Sequence, residues 1–292
     1  MVTVYRYLTY SNSTFDFGIF AQMYEYMKQK GTISTTVERN KLLSHFAVHF
    51  SPIFYIALPI YFIFDNAITV QLIQAFMVAI PVIPILLLCK HHKLSNQMAI
   101  AVSLIYVLYP ATAGGTFYDI HENCFITFFL LMLAWAVEKK KNVAAVIFAI
   151  LSLMVKEDAP VYVFILGIFF LFSKKDKKRG VILIVASAIY FAMATAIVNS
   201  YGLGIQEYRF GNLYFTQDGG LIQVFETLLA NPGYAISQII RNTNDNSMDK
   251  IGYIISMLVP VAAVLFTTGK KYSRYILLLP FIIINLLPTY LY

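Results

Sequence analysis

The stretch AILSLMVKEDAPVYVFIL, residues 149–166, sets Lys156, Glu157 and Asp158 inside an otherwise apolar run, residues 143–172. Read as one helix, that run puts the lysine runs "EKKKN" (138–142) and "SKKDKKRG" (173–180) on opposite faces of a membrane. Read as a hairpin, it keeps both runs on one face and makes the charged triplet its tip. The choice sets the parity of every later segment.

Composition demands a membrane. Hydrophobic residues make up 59% of the chain and charged residues 13%, against about 25% charged in soluble domains. Apolar segments recur at 67–89, 97–113, 120–137, 143–155, 159–172, 181–198, 251–268 and 275–292. None shows strand-like alternation, so helices satisfy the backbone in lipid. The expected fold is all-α, a polytopic transmembrane helical bundle in the cell membrane. The net charge of +7 does not point to nucleic acid, because the basic residues lie in short runs between apolar segments. Two cysteines, Cys89 and Cys124, give no disulfide framework.

The connectors fall into two kinds. "KHHKLSN" (90–96), "EKKKN", "SKKDKKRG" and "TTGKKYSR" (267–274) hold 13 of the 22 Lys and Arg residues. "GGTFYDIHEN" (114–123), "KED" (156–158) and the loop 199–250 hold 4. The positive-inside rule puts the first set in the cytoplasm, and alternation puts the second set outside. Only the hairpin reading preserves that order. Its arms are 13 and 14 residues long, about 20 Å at 1.5 Å per residue against a hydrocarbon core of about 30 Å. The tip therefore sits below the outer surface, where each bare charge costs about 2.5–3.5 kcal/mol. Such charges imply a cavity. The local alternative is that Asp158 caps the second arm, with Pro160 in its first turn, while Lys156 pairs with a carboxylate.

The expected organisation is an outer loop with juxtamembrane helices (1–66), a six-span bundle (67–198), an outer lobe (199–250) and two last spans (251–292). The lobe is expected to cover the pocket, with amphipathic helices interrupted at Asn231-Pro232. "HFSPIFYIALPIYFIF" (49–64) is too short and proline-rich for a span and reads as an interfacial helix. Four polar clusters then gather outside. Asp16 opens a run rich in aromatics. His45 and His49 stand four apart on one helical face, a weak metal signal without a third ligand. Asp119, His121 and Glu122 share the third cluster, where the carboxylates can also serve as helix caps. Lys156, Glu157 and Asp158 form the fourth. Carboxylates beside a lysine suit general-base chemistry, or a divalent metal ion, near a phosphate.

The stretches "FDFGIFAQMY", "HFSPIFYIALPIYFIF", "FYDIHENCF", "LMVKEDAPVYV", "LLANPGYAISQII" and "LLLPFIIINLL" closely resemble the prokaryotic membrane family called domain of unknown function 2079. That family is similar to the GT-C glycosyltransferases, which use polyprenyl-phosphate sugars. The resemblance implies that Asp16 is catalytic base or metal ligand, and that Asp119, with His121 or Glu122, orients metal or acceptor. It implies that Lys156 holds the donor phosphate, with His49, Glu157 and Asp158 in support. "KED" stands where Lys-Gly is common and "DIHE" where Asp-Pro is common, which leaves the metal and the donor open. Asp16, Asp119 and His121 are the candidate ligands if a metal is used. The partners implied are membrane lipid and a polyprenyl-phosphate-linked sugar. The chain reads as truncated, so the missing part of a split protein is a further expected partner. A lipid or solute transporter, a flippase and a non-catalytic scaffold are the competing readings. The absence of an internal repeat and the one-sided polar residues argue against transport.

Overall fold

A computed structural model of the protein describes residues 2–12, 14–117, 119–201, 207–216, 219–241, 250–262 and 272–289. Among the described residues the fold is helical, apart from one small antiparallel pair, Ser34–Thr35 with Leu43–Ser44. After a short helix α1 (Val2–Leu8), α2 (Thr14–Lys30) buries Phe20, Met23, Tyr24 and Met27. Their spacing of three and four residues makes one apolar stripe. That stripe packs on α3 (Ile53–Ile63), the short helix expected from 49–64. Pro59 lies inside α3.

Among the described residues, two helical runs are long and apolar enough to cross a bilayer. The first, Ile68–His91, consists of α4 (Ile68–Ala79) and α5 (Val82–His91), joined at Pro81. The second is α11 (Lys177–Ser200). Each has 24 residues, about 36 Å of helix. The remaining apolar segments are shorter. The segment 97–113 divides into α6 (Asn96–Leu108) and α7 (Pro110–Phe117), because Pro110 cannot continue the hydrogen-bond ladder. The helix expected from Ile120 starts at Ile126 as α8 (Ile126–Glu138), after a 3-10 turn at Glu122–Phe125. The stretch 275–289 is a series of 3-10, α and π turns rather than one helix, with Pro280 and Pro288 interrupting it.

The opening stretch is a hairpin. α9 (Asn142–Leu153) and α10 (Ala159–Phe172) are separate helices joined through residues 154–158. α10 packs closely on α11. The contact is tight enough that a Cβ on Gly180 would lie 2.8 Å from the Gly167 carbonyl and the Leu171 amide. At the foot of the hairpin, Glu138 takes Lys174 at 2.7 Å and His92 at 2.9 Å. Arg179 donates to the Asn142 side chain at 2.8 Å. Three lysine-rich connectors thus meet at one end of the bundle. Most of the fourth, 267–274, lies outside the described residues, as do 202–206, 217–218 and 242–249 of the 199–250 connector. The rest of that connector forms a 3-10 stretch (Glu207–Leu213), α12 (Leu221–Ala230) and α13 (Pro232–Ile240). The break falls at Asn231-Pro232, where the Asn231 side chain accepts from the Tyr234 amide at 3.2 Å.

Gly180→Ala should force α10 and α11 apart and cost about 1–3 kcal/mol, the usual range for overpacking. Thermal unfolding in detergent should show a lower midpoint; an unchanged midpoint would mean that the crossing is looser than described.

Candidate functional site

The hairpin tip closes on itself and on two distant segments. The Ala159 amide donates to the Lys156 carbonyl, and Val161 to that of Asp158. Pro160 then occupies the first turn of α10, where a missing N–H costs nothing. Asp158 holds the N-cap position, but its side chain makes no capping bond. The local reading therefore accounts for the position of Asp158, though not for its carboxylate, and for a carboxylate partner of Lys156, which Glu122 supplies.

Lys156 is 1% exposed, and its Nζ lies 2.9 Å from Oε1 of Glu122, which is fully buried. Burial opposes the ammonium charge, while Glu122, Asp158 and Glu157 together keep it protonated. The other Glu122 oxygen lies 3.4 Å from His121 Nδ1. Glu157 turns the opposite way. Its Oε1 is 2.8 Å from His49 Nδ1, and its Oε2 accepts the Phe50 amide at 2.9 Å. The α3 end is tied down further by the Ile53 amide on the Met154 carbonyl.

Asp16 approaches from α2. It lies one turn before Phe20, whose ring sits 5.4 Å from that of His121, and its charge acts on that imidazole. Asp119 is 1% exposed and accepts from the Gln71 amide at 2.8 Å. Gln74, one turn further along α4, accepts the His121 backbone N–H at 2.8 Å and donates to the Gly115 carbonyl. These two glutamines, which sequence reasoning passed over, anchor the loop that carries Asp119, His121 and Glu122. Their signal was two amides three residues apart in an otherwise apolar segment. His45 and His49 do stand together, with ring centroids 5.8 Å apart and the His49 amide donating to the His45 carbonyl at 2.8 Å, although the helical part is a single 3-10 turn, His45–Ala47. His45 serves a different acid, Glu38, at 3.1 Å, and Glu38 was likewise passed over.

A cavity of about 470 Å³ opens beside the tip. His49, Lys156, Glu157 and Asp158 line it together with Arg209 from the 3-10 stretch. The rest of its wall is nearly all apolar: Phe164 and Ile165 of α10, Ala188 and Phe191 of α11, Leu221, Val224 and Leu228 of α12, and Ile284 and Leu287. Asp16, Asp119, His121 and Glu122 stand behind the tip and do not line this cavity. Arg209 was not singled out from sequence. Among the described residues, no three His, Cys, Asp or Glu side chains come together as a metal site. The candidate set Asp16, Asp119 and His121 is thus not gathered as a metal site. An apolar chamber with cations and acids at one end suits an amphiphile with an anionic head.

The family model described as "Predicted membrane protein (DUF2079)" matches residues 6–291. The chain belongs to the DUF2079 family. No curated protein and no solved structure matches it.

In this DUF2079 protein, the carboxyl of Asp158 titrates above the usual carboxylate range. Burial, aided by Glu157 and Glu122 and opposed by Lys156 and His49, pushes it up to about 6 from 3.8. Between those values the folded state keeps a proton that the unfolded chain has lost, so Asp158's contribution to stability falls as pH rises. Asp158→Asn, neutral throughout, should therefore melt higher than the parent at about pH 8 and level with it at about pH 4. The same offset at both pH values would rule out this assignment.

Proposed function

We propose that this DUF2079 protein is a multi-pass, GT-C-like glycosyltransferase of the cell membrane. In this reading it takes a sugar from a polyprenyl-phosphate donor on the outer face. The observation that carries the reading is the cavity, whose charged end holds Lys156, Arg209 and His49 together with the acids Glu157 and Asp158 and whose walls are otherwise nearly all apolar. The meeting of three lysine-rich connectors at the opposite end of the bundle supports the sidedness, by the positive-inside rule.

In the reaction, the acceptor hydroxyl oxygen bonds to the anomeric carbon of the sugar. The bond from that carbon to the phosphate oxygen breaks, polyprenyl phosphate leaves with the electron pair, and the hydroxyl proton passes to a base. Lys156 and Arg209 stabilise the charge that develops on the leaving phosphate. In this reading the acceptor hydroxyl lies on the α2 side of the tip, where Asp16, acting with His121, is the base; neither residue lines the cavity that holds the donor. Asp119 keeps its loop in place through Gln71, and Glu122 keeps Lys156 charged. His49, with Nδ1 held by Glu157, lines the cavity and completes its charged end.

The test is incubation of the purified protein with a labelled polyprenyl-phosphate sugar and an acceptor extract, following release of polyprenyl phosphate. Asp16→Asn should lower kcat by about 10²–10⁴-fold with donor binding largely kept. The paired change Lys156→Met with Glu122→Gln, which leaves no lone buried charge, should weaken donor binding instead. If the parent protein binds no lipid-phosphate sugar, the reading fails.

A further inference from the structure

We infer that α12 and α13 lie within the bilayer as a side wall of the cavity, rather than outside it as a lobe. The first observation is depth. Ser187, Ala188 and Phe191 of α11 line the cavity. Ser187 stands 13 residues before the end of the 24-residue helix at Ser200, about 20 Å along its axis. A cavity reaching that far down a helix of about 36 Å lies at the depth of the hydrocarbon. α12 borders the same cavity through Leu221, Val224 and Leu228, and so flanks a space that reaches this depth.

The second observation is polarity, which runs inside out. The outward residues of α12 are Ile222, Phe225 and Leu229, and Leu229 is 84% exposed. On α13 they are Ile236 and Ile240, at 65% and 56% exposure. No charged residue occurs in Pro232–Ile240. The polar groups turn inward. Gln238 is 1% exposed and accepts from the Asn212 amide. Thr227 donates to the Leu213 carbonyl at 2.7 Å. The buried Lys250 ammonium donates to the carbonyls of Gln238, Leu286 and Pro288 at 2.7–2.9 Å. In water this pattern is costly. In lipid it is what backbone and side-chain polarity require.

Continuity names the occupant of the outer face. α13 packs on α14 (Lys250–Leu258), where Ile251, Ile255 and, just beyond its end, Val259 continue an exposed stripe at every fourth residue. In a membrane protein that stripe meets acyl chains, and the stripes of α12 and α13 extend it. Glu226, the only charged side chain on α12, is exposed and marks the edge turned to the headgroups. Phe225 is both exposed and part of the cavity lining, so it stands where cavity and lipid meet. A lipid then enters sideways past Phe225. This entry rests on the lipid-donor reading; the immersion of the helices does not.

The chain's single tryptophan makes the test direct. Trp135→Phe gives a silent background, and Leu229→Trp or Ile236→Trp places one reporter on each outward face. In vesicles of phosphatidylcholine brominated along its acyl chains, both reporters should lose most of their fluorescence, while aqueous iodide should leave them bright. Quenching by iodide and not by bromolipid at both positions overturns the inference. So does protection from both quenchers with a crosslinked dimer, which would assign this face to a second copy of the chain. Sugar transfer plays no part in the readout, so the immersion can fail or stand whatever the transferase assay shows.

Discussion

The ion pair between Lys156 and Glu122 holds the site together. Both groups are withdrawn from solvent, at 2.9 Å from one another. Moving either into low dielectric alone costs several kcal/mol, so each is tolerable only because the other is there. The pair joins residues 34 apart in sequence: the tip of the α9–α10 hairpin and the loop before α8. Glu122 also reaches His121, which faces Asp16 and Phe20. Glu157, next to Lys156, fixes His49 and the start of α3. One charged triplet therefore sets the relative positions of α2, α3, α8 and the hairpin.

The tip is also where the interior changes character. On one side stand the packed aromatic rings of Phe20, Phe54 and Phe125. On the other lies the cavity, with a wall completed by α12 and the 283–287 turns. Charges at such a boundary are costly, and burial beside Glu157 and Glu122 raises the Asp158 carboxyl above its ordinary range.

Much of this fold was legible in the sequence. The hairpin break followed from charge parity alone, because a single helix over 143–172 would have split the lysine runs. The break at Asn231-Pro232 followed from local chemistry, since a side-chain acceptor followed by proline starts a helix. The site was less legible. Asp16, His121, Glu122, Lys156, Glu157 and His49 fall into one connected network, but the central role of Glu122 was not visible, because its partner is chosen by tertiary placement. Gln71, Gln74 and Glu38 were missed for the same reason. The spacing of Gln71 and Gln74 marks one helical face but not what that face meets, and a single acid such as Glu38 in a loop has no period at all. The helix boundaries at 110, 126 and 280 moved where proline or a 3-10 turn overrode an apolar pattern.

The most direct measurement is a double-mutant cycle on Lys156→Met and Glu122→Gln, read as unfolding free energy in detergent. Each single change leaves a buried charge without its counter-ion and should cost about 3–5 kcal/mol. The double change should cost well under the sum, with a coupling above about 1 kcal/mol. Additive losses would contradict the account, since they would mean that the two charges do not stabilise one another across the hairpin tip.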